Sequence, residues 1–205
     1  MMLRGCLLFL LSVASVQGAS ITVTNNIGPI NTNSVVDYRG VPVDGGWAAL
    51  GTISDPTTLV TVTGGVDLLQ VFTVFDGTEG PVNSSPFAGT FTIQSLGEVA
   101  INTTDFAGAP MYLVLTDSPS LESSGLGFAI LEIGTFPAFE PAVDTVFVDA
   151  TSNIVARPWV SGTPHTLAPS PIGGQNPAIT LGAPEPSSSL LMCLAGLLLA
   201  ARRRR

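Results

Sequence analysis

The chain has 205 residues, room for one domain with a sizeable core. Only 11% of them are charged, against about 25% in ordinary soluble domains, while 22 glycines and 16 prolines punctuate the sequence, which favours strands and turns over helices. There is no lysine, and residues 20–182 set Arg39 and Arg157 against fourteen acids, a formal charge of 2 − 14 = −12, which argues against a nucleic-acid or anionic-membrane binder.

Residues 1–19, MMLRGCLLFLLSVASVQGA, follow the pattern of a secretory signal peptide. Arg4 supplies the early positive charge, and Cys6 to Val16 form an eleven-residue apolar run. Cleavage after Gly18 puts Val16 and Gly18 at the small-residue positions, whereas cleavage after Ala19 would place Gln17 there. Eleven apolar residues are too few to cross ~30 Å of hydrocarbon at ~1.5 Å per residue. Cys6 and Cys193 sit at the two ends of the chain, so residues 20–182 cannot contain a disulfide.

A series of short strands follows, separated by turn residues. SITVTNN alternates from Ser20, and SVVDYRG and VPVDGG are short runs before Asp44-Gly45-Gly46. GWAALGTI, from Gly46 to Ile53, precedes a break at Asp55-Pro56, and TTLVTVTGG beyond it is β-branched enough to predict another strand. VDLLQVFTVFD departs from the pattern. Its polar residues Asp67, Gln70, Thr73 and Asp76 recur every third position, which predicts one short helix burying Leu68, Leu69, Val71, Phe72 and Phe75. FAGTFTIQS alternates around Phe91 and Ile93, and Ala109 to Asp117 is apolar enough to be covered on both faces. SGLGFAILEIG and DTVFVDA complete the set. The expected fold class is mainly β, an antiparallel β-sandwich over residues 20–155 with one short helix, flanked by the signal peptide and a C-terminal hydrophobic helix. Residues 156–182, with Pro158, Pro164, Pro169, Pro171 and Pro177, read as an extended stalk carrying a last strand near Ile179 to Leu181.

Catalytic chemistry is not evident. His165 is the only histidine and lies in the proline-rich stretch, without the partner a catalytic imidazole needs. There is no Gly-x-Ser-x-Gly, no P-loop, no dinucleotide fingerprint and too few zinc ligands. Asp76-Gly77-Thr78-Glu79-Gly80 is the nearest approach to a calcium loop but lacks its repeated acids and reads as a turn, and Asp117 to Glu122 is a weaker candidate. Fourteen acids allow many glycosidase-like pairs without singling one out. Of the two tryptophans, Trp47 reads as buried and Trp159, next to Pro158, as the exposed carbohydrate-binding candidate. Asn83-Ser84-Ser85 and Asn102-Thr103-Thr104 match the glycosylation sequon. No catalytic residue, cofactor or metal site is assigned.

The end of the chain is the most specific feature. Pro184-Glu185-Pro186 is followed by a fifteen-residue stretch, Ser187 to Ala201, ~22 Å as a helix and strictly apolar only from Leu190 to Ala201, and then Arg202, Arg203, Arg204 and Arg205. That length is marginal for a permanent anchor and sufficient for a transient one, and the arginines would stay cytoplasmic. Residues 183–205 resemble a PEP-CTERM sorting tail. The resemblance implies recognition of Pro184, Glu185 and Pro186 by an exosortase-type membrane protease, removal of the tail, and delivery of the body to the cell surface or an exopolysaccharide matrix. Tails of this kind also carry an ice-binding label, but Thr22-Val23-Thr24, Thr61-Val62-Thr63 and Thr90-Phe91-Thr92 have no fixed short period. The expectation is an exported, non-enzymatic surface or matrix protein, with exosortase, exopolysaccharide or matrix proteins as partners. The alternatives are a secreted carbohydrate-active enzyme and a carbohydrate- or calcium-binding adhesion module.

Overall fold

A computed structural model describes residues 18–26, 34–60, 62, 64–83, 89–98, 101, 105–124, 127–139, 143–148, 153–156, 166–169 and 175–182. The expected signal peptide up to residue 17 and the whole tail, including Pro184 to Pro186 and Arg202 to Arg205, lie outside the described residues.

The fold is mainly β, built around antiparallel sheets. The largest sheet combines β3 (Gly46–Ile53), β4 (Phe72–Val82), β6 (Pro110–Thr116), β7 (Phe128–Thr135) and β9 (Asn153–Ala156) in the order β4-β3-β6-β7-β9. Each pair in it is antiparallel. A second sheet has the order β5-β1-β8, from β1 (Ser20–Thr24), β5 (Thr92–Gln94) and β8 (Val143–Phe147). Here β1 runs parallel to β8, against the all-antiparallel expectation. A second parallel pair joins β2 (Val35–Val36) to β12 (Ile179–Thr180). β10 (Thr166–Pro169) and β11 (Gln175–Pro177) form an antiparallel pair inside the proline-rich stretch.

Alternation along the strands of the large sheet divides its side chains between two apolar clusters. Ala48, Leu50, Leu113, Leu115, Ala129 and Leu131 join Ile21, Val23, Phe91 and Ile93 of the smaller sheet in the main core. Phe75, Phe106 and Phe136 meet at one end of it, with ring centroids 5.0 to 5.2 Å apart. On the other face, Ala49, Ile53, Phe72, Tyr112, Val114, Phe128 and Ile130 pack under Leu68 and Leu121. β6 is therefore covered on both sides, as its composition requires, although it belongs to an antiparallel sheet.

Two elements differ from expectation. The predicted helix over residues 66–76 is present only as α1 (Gly65–Leu68), and the rest of the stretch turns into β4. Val71-Phe72-Thr73-Val74-Phe75 is β-branched and aromatic, and pairing of β4 with β3 overrides a three-residue polar spacing that a turn followed by a strand also satisfies. Leu69 is consequently exposed rather than buried. The predicted strand after Asp55-Pro56 begins instead as a 3₁₀ helix, Pro56–Val60. The Asp55 carboxylate accepts the Thr57 N–H at 3.0 Å and the Thr57 hydroxyl at 2.7 Å, so the first turn is capped by its own side chain.

The stretch read as a stalk ends inside the domain. Ala178, Ile179, Thr180 and Leu181 are buried, and Ile179 and Leu181 belong to the main core. The Leu181 N–H donates to the Val36 carbonyl at 2.9 Å and the Gly182 N–H to the Phe128 carbonyl at 3.0 Å. Packed structure thus reaches Gly182, one residue before the tail. At the other end Ala19 is fully buried, and its carbonyl accepts the Ser95 hydroxyl at 2.8 Å.

Candidate functional site

The layer covering the second face of the large sheet does not close completely. Between it and the sheet lies a groove of about 390 Å³, a size suited to a small ligand or one or two sugar units. Trp47, Phe72, Val74 and Glu79 line it from β3 and β4, and Leu69 and Pro119 to Glu122 from the covering segments. The covering wall is fixed to the sheet by polar contacts. The Thr116 hydroxyl donates to the Ser118 carbonyl at 2.6 Å and accepts the Trp47 N–H at 3.2 Å. Ser124 closes the following turn, its hydroxyl donating to the Leu121 carbonyl at 2.8 Å. α1 approaches that same carbonyl so closely that only glycine fits at residue 65.

Glu79 enters the groove because β4 changes register. Phe72, Thr73 and Val74 pair with Ile53, Thr52 and Gly51, whereas Glu79 pairs with Ala49 and Pro81 with Trp47. Leu50 alone therefore spans Phe75 to Thr78. An odd number of inserted residues swaps the two faces of a strand. Even-numbered Val74 and odd-numbered Glu79 thus look onto the same side. Asp76 and Gly77, both with positive φ (43° and 63°), form the bulge. The Asp76 carboxylate accepts the Gly97 N–H at 2.7 Å and the Glu98 N–H at 3.1 Å, so the turn after β5 holds the bulge in place. The Asp76–Gly80 candidate loop is accordingly neither a turn nor a convergent cation site. Its first carboxylate is occupied by backbone donors and its second points elsewhere. Among the described residues no three His, Cys, Asp or Glu side chains come together.

No protein-family model matches the chain, and no curated protein or solved structure is significantly similar to it.

The chemistry of the groove therefore rests on its own residues. Trp47, the tryptophan that the sequence favoured less as an exposed candidate, is half-buried and lines this concave site. Trp159 and His165 lie outside the described residues. Glu79 and Glu122 stand on opposite walls, and among the described residues neither carboxylate has a hydrogen-bond or ion-pair partner. An indole face flanked by unpaired carboxylates can stack on a sugar ring and accept its hydroxyls or an amine. A larger cleft of about 790 Å³, lined by Thr52, Ser54, Pro56, Asp105 and Pro110 among others, offers one acid and no indole.

A second carboxylate pair lies at the end of the sheets. Asp37 closes its own turn by accepting the N–H groups of Arg39 and Val41, each at 2.9 Å, and pairs with the Arg39 guanidinium at 2.7 Å. Burial pushes the Asp37 carboxyl up, but those donors outweigh it and leave it below the usual range. Asp117 moves the other way. Burial raises it first, and the negative charge of Asp37 adds to the rise, although the Ser118 hydroxyl donates to it at 3.0 Å. Two carboxylates split in this way resemble an acid–base pair. The oxygens of Asp37 are nevertheless committed to its own turn, which makes its role structural.

Of the threonines noted in the sequence, Thr24 and Thr92 meet in space, and Thr61 and Thr63 lie outside the described residues. Thr24 lies opposite Thr92, and their hydroxyl oxygens are 2.7 Å apart. Thr24 is buried and also donates to the Phe91 carbonyl at 3.0 Å, so these hydroxyls satisfy one another and the backbone instead of forming a regular ligand face.

Proposed function

We propose that the protein is an exported surface or matrix protein, sorted through its PEP-CTERM-like tail, whose body binds polysaccharide in the Trp47 groove. The sorting half of this reading rests on Pro184-Glu185-Pro186, the apolar segment after it and Arg202 to Arg205. Leader cleavage after Gly18 keeps the buried Ala19 side chain in the mature core, at the loss of the Gly18 N–H donated to the Gly97 carbonyl at 3.1 Å. The two main sheets, which share one apolar cluster, are read as the layers of a sandwich. The carrying observation for the body is the half-buried Trp47 in a groove that it shares with two solvent-exposed glutamates, Glu79 and Glu122. That arrangement favours a neutral or amine-bearing sugar and disfavours uronate or sulfated chains, the more so on a body of net charge −12.

The test is binding of the exported protein to the host's purified exopolysaccharide. Trp47→Ala should weaken binding at least tenfold, about 1.4 kcal/mol, with circular dichroism confirming that the lost packing against the second cluster has not unfolded the domain. Unchanged affinity would remove the groove from the proposal. Intact mass of the exported protein checks the sorting half. A species beginning at Ala19 and ending near Pro184 to Ser187 supports it, and one that retains Arg202 to Arg205 refutes it.

The groove also keeps a second reading open. Two carboxylates across a cleft are what a glycosidase uses. A polysaccharide-cleaving enzyme would release reducing ends, and Glu79→Gln or Glu122→Gln would abolish that release without abolishing binding.

A further inference from the structure

Among the described residues, β8 leaves one edge of its sheet unpaired. It pairs with β1 over Ser20↔Val143 to Thr24↔Phe147 and, among the described residues, with no other strand. Its outward residues Val143 and Phe147 are 84% and 56% exposed, and Phe139 in the preceding loop is 82% exposed. Val146, on the opposite face, packs against the main core. Such edges are normally blunted by charged side chains, proline, a bulge, a short length or an inward-pointing charge, and the only such device on β8 is Asp144, on the same face as Val146. β8 has no lysine, arginine or proline, its register with β1 is continuous, and its only charge is Asp144.

We infer that the β8 edge is a self-association surface, on which a second copy of this chain adds its own β8 antiparallel around a two-fold axis at Thr145. The sequence VDTVF fits this arrangement. Centred on Thr145, Val143 lies opposite Phe147 of the other copy on the outer face, at both ends of the interface. On the inner face Asp144 lies opposite Val146, so the two Asp144 carboxylates are not cross-strand neighbours. Aromatic–β-branched pairs are favourable across strands, and like charges are absent from directly opposed positions. Five residues and two Phe–Val contacts bury less than the ~800 Å² per partner of a standard stable interface. The dimer is therefore weak in dilute solution and becomes populated where copies are crowded, as on a surface or in a matrix. The net charge of each body opposes association, so added salt strengthens it.

The experiment uses the exported protein purified from its host, with sedimentation equilibrium over a concentration series and oxidative cross-linking of single-cysteine variants. The region that folds has no cysteine of its own, since Cys6 and Cys193 lie at the chain ends. Wild type should show a concentration-dependent dimer that tightens with salt. Phe147→Lys should weaken it at least tenfold without changing the circular dichroism. Thr145→Cys should cross-link to a dimer on oxidation. Gln94→Cys, on the exposed far edge of the same sheet, should not. A monomer at every concentration overturns the inference, as does equal cross-linking of the two cysteine variants. Recovery of the chain with a foreign strand seated on β8 overturns it in favour of a different partner.

Discussion

Phe75 is fully buried where the two main sheets share their core, 5.0 Å from both the Phe106 and Phe136 ring centroids. Truncating it to alanine removes the central ring of the three and leaves a cavity between rigid strands. Phenylalanine side chains bury about 150–250 Å², which at ~25 cal/mol per Å² is an upper figure of about 4–6 kcal/mol. Measured Phe→Ala substitutions in cores cost about 3–5 kcal/mol. We expect Phe75→Ala to fall in that range, a large part of the 5–15 kcal/mol of a typical domain. Urea unfolding followed by tryptophan fluorescence reads it as a lower midpoint at unchanged slope. Phe147→Ala serves as the contrast, because a residue 56% exposed should lose less than half as much on the same area scale, at most about 2 kcal/mol. Equal losses from the two substitutions, or a loss below ~1 kcal/mol at Phe75, would refute the assignment of this aromatic cluster as the centre of the core.

Three further outcomes follow from the site. Thr78 is fully buried in the β4 bulge, and its hydroxyl has no hydrogen-bond partner; Thr78→Val should therefore be neutral or stabilise the fold by up to ~1 kcal/mol in the same unfolding assay. Asp76→Ala removes the acceptor of two N–H groups at a positive-φ position and should cost about 1–3 kcal/mol. On the proposed function it should also weaken glycan binding, because the bulge sets the face on which Glu79 stands. Asp117→Asn addresses a carboxyl whose folded value is raised by burial and by Asp37. Such a group favours the folded state below its unfolded value and withdraws that support as pH rises through its folded value. The variant should thus gain stability relative to wild type near neutral pH and lose the advantage in acid, and a constant difference across pH would count against the assignment.

Strands whose apolar residues alternate or run together were legible from the sequence. Gly46–Ile53 emerges with its predicted boundaries, and the apolar run at 109–117 forms β6. What pairs with what was not legible. The parallel β1–β8 contact joins residues over a hundred positions apart, and no local pattern encodes it. The helix expected over 66–76 is realised only at Gly65–Leu68, because a spacing of three fits both a helix and a turn leading into a strand. The groove was hidden for a related reason. Trp47, Glu79 and Glu122 are brought together by register, and Asp76-Gly77, read as a turn, acts as the bulge that turns Glu79 to the same side as Trp47.

The position of the groove follows from how the large sheet is covered. An antiparallel sheet ordinarily buries one face and exposes the other. Here the main core takes one face, and the run of apolar residues in β6 and β7 forces cover on the second. Only short segments are available for it: the 3₁₀ turn at Pro56–Val60, the four residues of α1, and the turn around Leu121. These cap the middle of the sheet, where Tyr112, Val114, Phe128 and Ile130 lie, and run out toward the β3–β4 side. At that seam a half-covered indole and unpaired carboxylates remain reachable from solvent. A site of this origin can change its ligand by altering the covering turn, residues 118–124, without disturbing the strands beneath. On the proposed function, exchange of Pro119 should therefore shift glycan preference at little cost in stability, whereas exchange of Leu121, which is buried in the second core, should cost both.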